Sequence, residues 1–150
     1  MNPISQASEH AIRALTYLAQ RRGEGYQLIR DMAERIGVPG PFLAKVLQPL
    51  VAQGVLETQR GRGGGVRLVE AAEAVTLHRI VDSQEHLGGT RKCFLGQAEC
   101  SDERACPAHE YWKAASARHE EQLRATTLAD VMRFCEQRPD SGYPQRSGPA

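Results

Sequence analysis

Three cysteines and a histidine fall close together in the order Cys93-x6-Cys100-x5-Cys106-x2-His109. Three thiolates and an imidazole at these intervals can close around one soft-metal centre. Thiolates suit zinc and iron–sulfur centres alike, and the intervals are longer than the paired Cys-x2-Cys of a zinc knuckle. The spacing leaves zinc and a cluster as even alternatives, with unligated thiols a distant third. Cys135, beside Phe134 in a helical pattern, reads as a small, partly buried side chain and not as a ligand. His10, His78, His86 and His119 read as structural or exposed. Cys106 and His109 can also mimic a nucleophile and its base. The chain lacks a nucleophile elbow, a P-loop and a dinucleotide fingerprint, so an enzyme is not the expectation.

A second chemistry lies in the hairpin-like run Arg60-Gly61-Arg62-Gly63-Gly64-Gly65. Residues 1–69 carry nine Lys/Arg against five Asp/Glu, whereas residues 70–150 carry ten against thirteen. The net charge of +1 therefore conceals a basic first half suited to a polyanion. No apolar run approaches the roughly 20 residues of a membrane span, and Glu9, His10 and Arg13 interrupt any signal-peptide core. The expected location is the cytoplasm, with no membrane partner, where the four cysteines stay reduced and disulfides are the weak reading.

The elements that must position these groups follow from periodicity. Residues 5–22 predict an amphipathic helix with Ile12, Leu15 and Ala19 on one face, ended by Gly23 and Gly25. Residues 28–36 predict a second helix, and Gly37-Val38-Pro39-Gly40-Pro41 a turn. Pro41 can open a third helix running to Gln53, although Pro49 should bend or weaken its middle. Short strands at 55–59 and 66–69 flank the Arg/Gly tip. A short helix capped by Thr76 follows. Residues 87–105 read as a loop, Pro107 as the opening of a long helix to about Arg124, and residues 127–136 as a last helix. The Pro/Gly/Ser-rich stretch 138–150 is expected to be disordered.

Helix, helix, Gly-containing turn, helix and basic hairpin is the order of a winged helix-turn-helix that grips double-stranded DNA. On the third helix Pro41, Ala44, Lys45 and Gln48 point outward. Lys45 can reach guanine or phosphate, and Gln48 adenine or phosphate. Arg60 and Arg62 can enter a narrow, A/T-rich minor groove.

In the stretches Glu9–Leu15, Met32–Val38, Phe42–Leu50, Gly54–Leu56, Arg60–Leu68 and Thr127–Val131 the sequence resembles the Rrf2 family of bacterial winged-helix transcriptional regulators. The segment from the third helix through the wing is the most specific part. The resemblance implies a mainly α fold with a two-stranded wing and a long C-terminal dimerisation helix. It also implies a homodimeric repressor on a roughly palindromic operator. It favours an iron–sulfur cluster over zinc. In IscR-type members three cysteines and a histidine hold a two-iron cluster, which implies Cys93, Cys100, Cys106 and His109 here. In NsrR-type members the fourth ligand of a four-iron cluster is an acid from the partner's first helix, and Glu9 stands at that place. His109 with a two-iron cluster is the preferred reading, and Glu9 with a four-iron cluster the alternative. Ala44 replaces an acidic residue that IscR-type members use to discriminate bases, so the operator is expected to differ. The expected organisation is a DNA-binding domain over 1–86, a cluster loop over 87–109, dimerisation helices over 107–137 and a tail over 138–150. Redox state, nitric oxide or iron–sulfur supply is the expected signal. A zinc-stabilised or cluster-free regulator remains the alternative.

Overall fold

The structure, a computed structural model, describes residues 2–89 and 91–145. Six α-helices and one β-hairpin follow in the order α1 (Gln6–Gln20), α2 (Ile29–Ile36), α3 (Gly40–Ala52), β1 (Leu56–Gln59), β2 (Gly65–Leu68), α4 (Leu77–Glu85), α5 (His109–Ala125) and α6 (Leu128–Gln137). Helix α1 starts where the Ser5 hydroxyl accepts the Ser8 N–H at 3.1 Å. Its broad apolar face, including Ala11, Ala14, Leu15 and Leu18, forms the centre of the core. Helices α2, α3, α4 and α6 all pack against it.

Helix α2 ends at Gly37, whose φ of +71° turns the chain toward α3. Helix α3 buries Leu43, Val46, Leu47 and Leu50 and leaves the opposite stripe free. It closes with Val55 N–H on the Leu50 carbonyl at 3.1 Å and Gly54 N–H on Val51 at 3.0 Å. Helix α3 continues through Pro49 to Ala52. Pro49 lies in the last turn, where its missing N–H removes one hydrogen bond near the end. The Gln84 amide also donates to the adjacent Val46 carbonyl at 2.9 Å.

Strands β1 and β2 pair antiparallel, with Leu56 opposite Leu68 and Thr58 opposite Val66. A feature absent from the sequence reading extends this hairpin. Gln27, just before α2, exchanges backbone hydrogen bonds with Val66 at 2.8 and 2.9 Å. The wing is thereby fastened to the helix-turn-helix and does not hang from its own turn alone.

A second backbone link holds the C-terminal helices. Leu77 N–H reaches the Thr126 carbonyl and Leu128 N–H the Val75 carbonyl, both at 2.8 Å. Thr127 and Asp130 form a reciprocal cap that starts α6 there. The long helix begins at His109, two residues after the expected Pro107, because Pro107 sits in the preceding turn, which His109 N–H closes on the Cys106 carbonyl at 2.9 Å. Helix α5 buries only His109 and Leu123.

The expected disorder from Arg138 also differs from the structure. A 3₁₀ turn at Pro139–Ser141 brings the chain back to α1. Arg13 donates there to the carbonyls of Pro144 and Gln145 at 3.0 and 3.1 Å. Tyr143 lies between the Arg13 guanidinium and the edge of Phe134, and burial pushes its phenol up to about 12. Apolar contact and a cation over the ring supply what a purely polar tail would lack. Residues 146–150 of the expected tail lie outside the described residues.

Candidate nucleic-acid interface and metal centre

Helix α3 presents Pro41, Lys45 and Gln48 fully exposed and Ala44 partly so, all on the side away from its buried leucines. Arg60 and Arg62 stand exposed at the wing tip. Among the described residues Lys45, Arg60 and Arg62 have no carboxylate partner. Their charges are thus available to an external anion. Arg67, one strand further back, is engaged: it pairs with Glu57 and lies 4.8 Å above the Tyr26 ring. The Tyr26 hydroxyl donates to Glu57 at 2.8 Å, and this bond followed by Arg67 holds the Glu57 carboxyl below the usual range. Tyr26, Glu57 and Arg67 brace the wing base. Sequence reasoning missed them because their pairing crosses 31 residues.

The cysteine loop runs from α4 to α5 and lies mostly in irregular conformation, with a 3₁₀ turn at Asp102–Arg104. Its start is tied to α5 by Trp112, whose indole N–H donates to the Lys92 carbonyl at 2.8 Å. Cys93, Cys100 and Cys106 are all half-buried free thiols. Partial burial raises the Cys93 thiol pKa. The Gln97 and Leu95 backbone amides, the Gln97 side chain and the neighbouring Cys106 outweigh it, leaving the thiol below the usual range. Cys100 Sγ accepts from Arg91 Nε at 3.4 Å and lies 3.6 Å from His109 Nδ1.

His109 is 2 % exposed, and its other nitrogen, Nε2, meets Asp102 Oδ1 at 2.8 Å. Lys113 approaches both Asp102 oxygens at 2.8 and 3.1 Å. Lys113 first, and His109 second, pull the Asp102 carboxyl down to about 2. Asp102 thus stays ionised at neutral pH and can accept from His109 Nε2. In the tautomer that carries its proton there, the Nδ1 lone pair faces Cys100, the arrangement by which carboxylates orient metal-binding histidines. The donors form two neighbouring pairs, Cys93 with Cys106 and Cys100 with His109. Among the described residues, the one trio of potential ligand atoms within 4.8 Å of each other is Asp102, His109 and Glu110. The chemistry and orientation of the thiol and imidazole donors fit a soft-metal cofactor. The guanidinium of Arg91 beside Cys100 complements the negative charge that thiolates bring.

Glu9 does not join this set within one chain, since its carboxylate pairs with Arg13 at 3.2 Å. Cys135 lies apart on α6, and burial pushes its thiol up. Asp102, Lys113 and Arg91 went unnoticed in the sequence, where a charged residue in a loop or on a helix reads as solvated. A carboxylate seven residues before His109 and a lysine four after it were the available signal.

The family model described as Rrf2, iron-dependent transcriptional regulator, matches residues 4–133. Protein aau3 of Rhizobium meliloti is 34% identical over 131 residues, covering 87% of this chain and 84% of the relative. The transcriptional regulator IscR of Erwinia tasmaniensis is 26% identical over 129 residues, covering 86% and 78%. Among solved structures, CymR, described as the global cysteine regulator of B. subtilis, superposes with a TM-score of 0.73 at 24% identity, covering 89% of this chain and 98% of that one. A winged helix-turn-helix with a long α5 is therefore both what the backbone builds and what these relatives share in fold. The match from Ile4 to Arg133 spans every element from α1 into α6, and on it the chain belongs to the Rrf2 family of transcriptional regulators.

Proposed function

We propose that this regulator is a homodimeric DNA-binding repressor whose grip on its operator is set by an iron–sulfur cluster held by Cys93, Cys100, Cys106 and His109. The observation that carries this is His109, buried, oriented by Asp102, and 3.6 Å from Cys100 at the first turn of α5. Similarity in fold does not choose a cofactor, since IscR and CymR are both similar to this chain. The three thiols and one imidazole, with the likeness to cluster-binding members of the family, support a cluster. Two ligand pairs suit two iron atoms with two protein ligands each, which supports the two-iron form. The Arg13–Glu9 pairing favours His109 over Glu9 as the fourth ligand. A four-iron cluster completed by the partner's first helix is the second reading.

A bound cluster would supply a centre sensitive to oxidants, nitric oxide and iron supply. The rest is the work of the chain. His109 fastens the start of α5 to the loop, and Trp112 fastens the loop to α5 again. His78 and Glu120, 3.2 Å apart, dock α5 on α4. Helix α5, buried only at His109 and Leu123, offers its uncovered face to a second copy. The two α3 helices then lie at a separation that α5 sets, which is the geometry that reads a palindrome. If His109 lost its bond to the cluster, the loop would be loosened at that point and that separation would change. No helix among the described residues is long and apolar enough to cross a membrane, in keeping with a cytoplasmic regulator.

Anaerobic absorption and resonance spectra with iron and sulfide counts test the cofactor. A colourless protein with stoichiometric zinc would replace it by the zinc-stabilised alternative. On the DNA side, Arg60→Ala should weaken operator binding and lower the salt slope by about one, as expected for one lost phosphate neutralisation. Unchanged affinity and slope would remove the wing from the interface.

A further inference from the structure

A cleft of about 410 Å³ separates α3 from the wing. Ala44, Gln48, Val51 and Ala52 line it from α3, and Thr58 and Val66 from the hairpin. The α3 residues form one helical stripe, and Thr58 pairs with Val66 across the hairpin. The floor is apolar and the rim is polar, with Gln48 and Thr58 both exposed. Among the described residues neither side chain has a hydrogen-bond partner. Exposed Lys45 follows Ala44 on α3, and exposed Arg60 lies two residues beyond Thr58 in the chain.

The occupant follows from the geometry of a duplex. If α3 lies in a major groove and the wing tip in the adjacent minor groove, the strand that divides the two grooves must pass between them. On this protein that passage is the cleft. The walls of Ala44, Val51 and Val66 suit the C–H face of a deoxyribose. The Thr58 hydroxyl and the Gln48 amide are the donors within it, and the cations of Lys45 and Arg60 match the charge of what passes. Resting on the DNA-binding reading above, we infer that the cleft seats one sugar–phosphate of that dividing strand, with Thr58 and Gln48 donating to its phosphate. Gln48 then acts as a backbone clamp and leaves Lys45 as the base-reading candidate of α3. Thr58 becomes a contact residue that carries no sequence information, because phosphate contacts fix register and not base identity.

The test uses the full-length protein, prepared anaerobically, and a duplex that the wild type recovers from a randomised pool. Thr58→Val keeps the shape and strand preference of the side chain and removes only the donor. It should bind roughly tenfold to a hundredfold more weakly on the selected duplex and on unrelated duplexes alike, the loss of one hydrogen bond to a charged acceptor. The salt slope should not change, because no cation is removed. Thr58→Ser should recover most of the affinity. A single neutral methylphosphonate, stepped along the dividing strand, should reach one position at which wild type and Thr58→Val bind equally. Wild-type affinity for Thr58→Val, or a loss confined to duplexes with one particular base pair, overturns the inference. Failure of the wild type to select any duplex would instead overturn the DNA-binding reading beneath it, and an Arg60→Ala variant with unchanged binding would remove the wing from the interface and the cleft's strand with it.

Discussion

Replacing Cys93, Cys100 or Cys106 with Ala, one at a time, is expected to abolish the cluster, so that anaerobically purified protein loses its iron and acid-labile sulfide together. Cys135→Ala should keep both. The first three thiols share the loop between α4 and α5, where backbone amides help hold the Cys93 thiol below its usual range and Arg91 donates to Cys100 Sγ. Cys135 sits on α6 with its thiol pushed up by burial, the state least suited to ligation. His109→Ala should be milder in iron content and distinct in kind. A cluster assembled without the imidazole should show altered spectra and be lost faster in air, because one corner is left to solvent or to a weaker ligand. Glu9→Ala should change little beyond releasing Arg13. Retention of the cluster without Cys100, or its loss without Cys135, defeats the ligand assignment. Native spectra in His109→Ala with altered spectra in Glu9→Ala would move the fourth ligand to the first helix and make the cluster a bridge between subunits.

Gly65→Ala is expected to damage the wing severely. Gly65 has φ +145°, and a Cβ there would stand 2.2 Å from the Gln27 carbonyl oxygen and 2.6 Å from its carbon. Those are backbone atoms of the segment hydrogen-bonded to Val66, so relief requires breaking that link. Backbone strain of about 1–3 kcal/mol and two lost hydrogen bonds of about 0.5–1.5 kcal/mol each add to roughly 2–6 kcal/mol. At roughly 2–4 °C per kcal/mol for a chain of this size, the melting temperature should fall by about 5–20 °C. Gly63→Ala is the control: its φ is +74°, with nothing within 4 Å of the added carbon. It should cost only the left-handed backbone penalty, about 1 kcal/mol. Equal melting temperatures for the two variants would show that the Gln27–Val66 pairing does not support the wing. Because that pairing also sets the angle between wing and α3, Gly65→Ala should weaken DNA binding even below its melting range.

The elements themselves were largely legible in the chain. Leu43, Val46, Leu47 and Leu50 at helical spacing define α3, Thr76 and Thr127 mark helix starts, and glycines end α2 and α3. These are local signals, carried by residues within one or two turns of each other. The cysteine spacing singled out the candidate metal donors, and the Arg/Gly run a cationic hairpin.

What the sequence by itself determined was therefore the order of elements, the outward stripe of α3, the basic wing and the chemical type of the candidate ligands. The tertiary structure decided how these meet. It grouped the donors into two pairs, turned the His109 Nδ1 toward Cys100 by means of Asp102 and Lys113, and tied the wing to Gln27. It placed Thr58 and Gln48 on opposite rims of one cleft, and folded Tyr143 back onto Arg13 where composition suggested only disorder. Each of these links joins a residue to a partner outside its own helix or hairpin. Their energies come from burial, charge pairing and backbone complementarity that exist only once the chain has closed, so no local pattern of residue types encodes them.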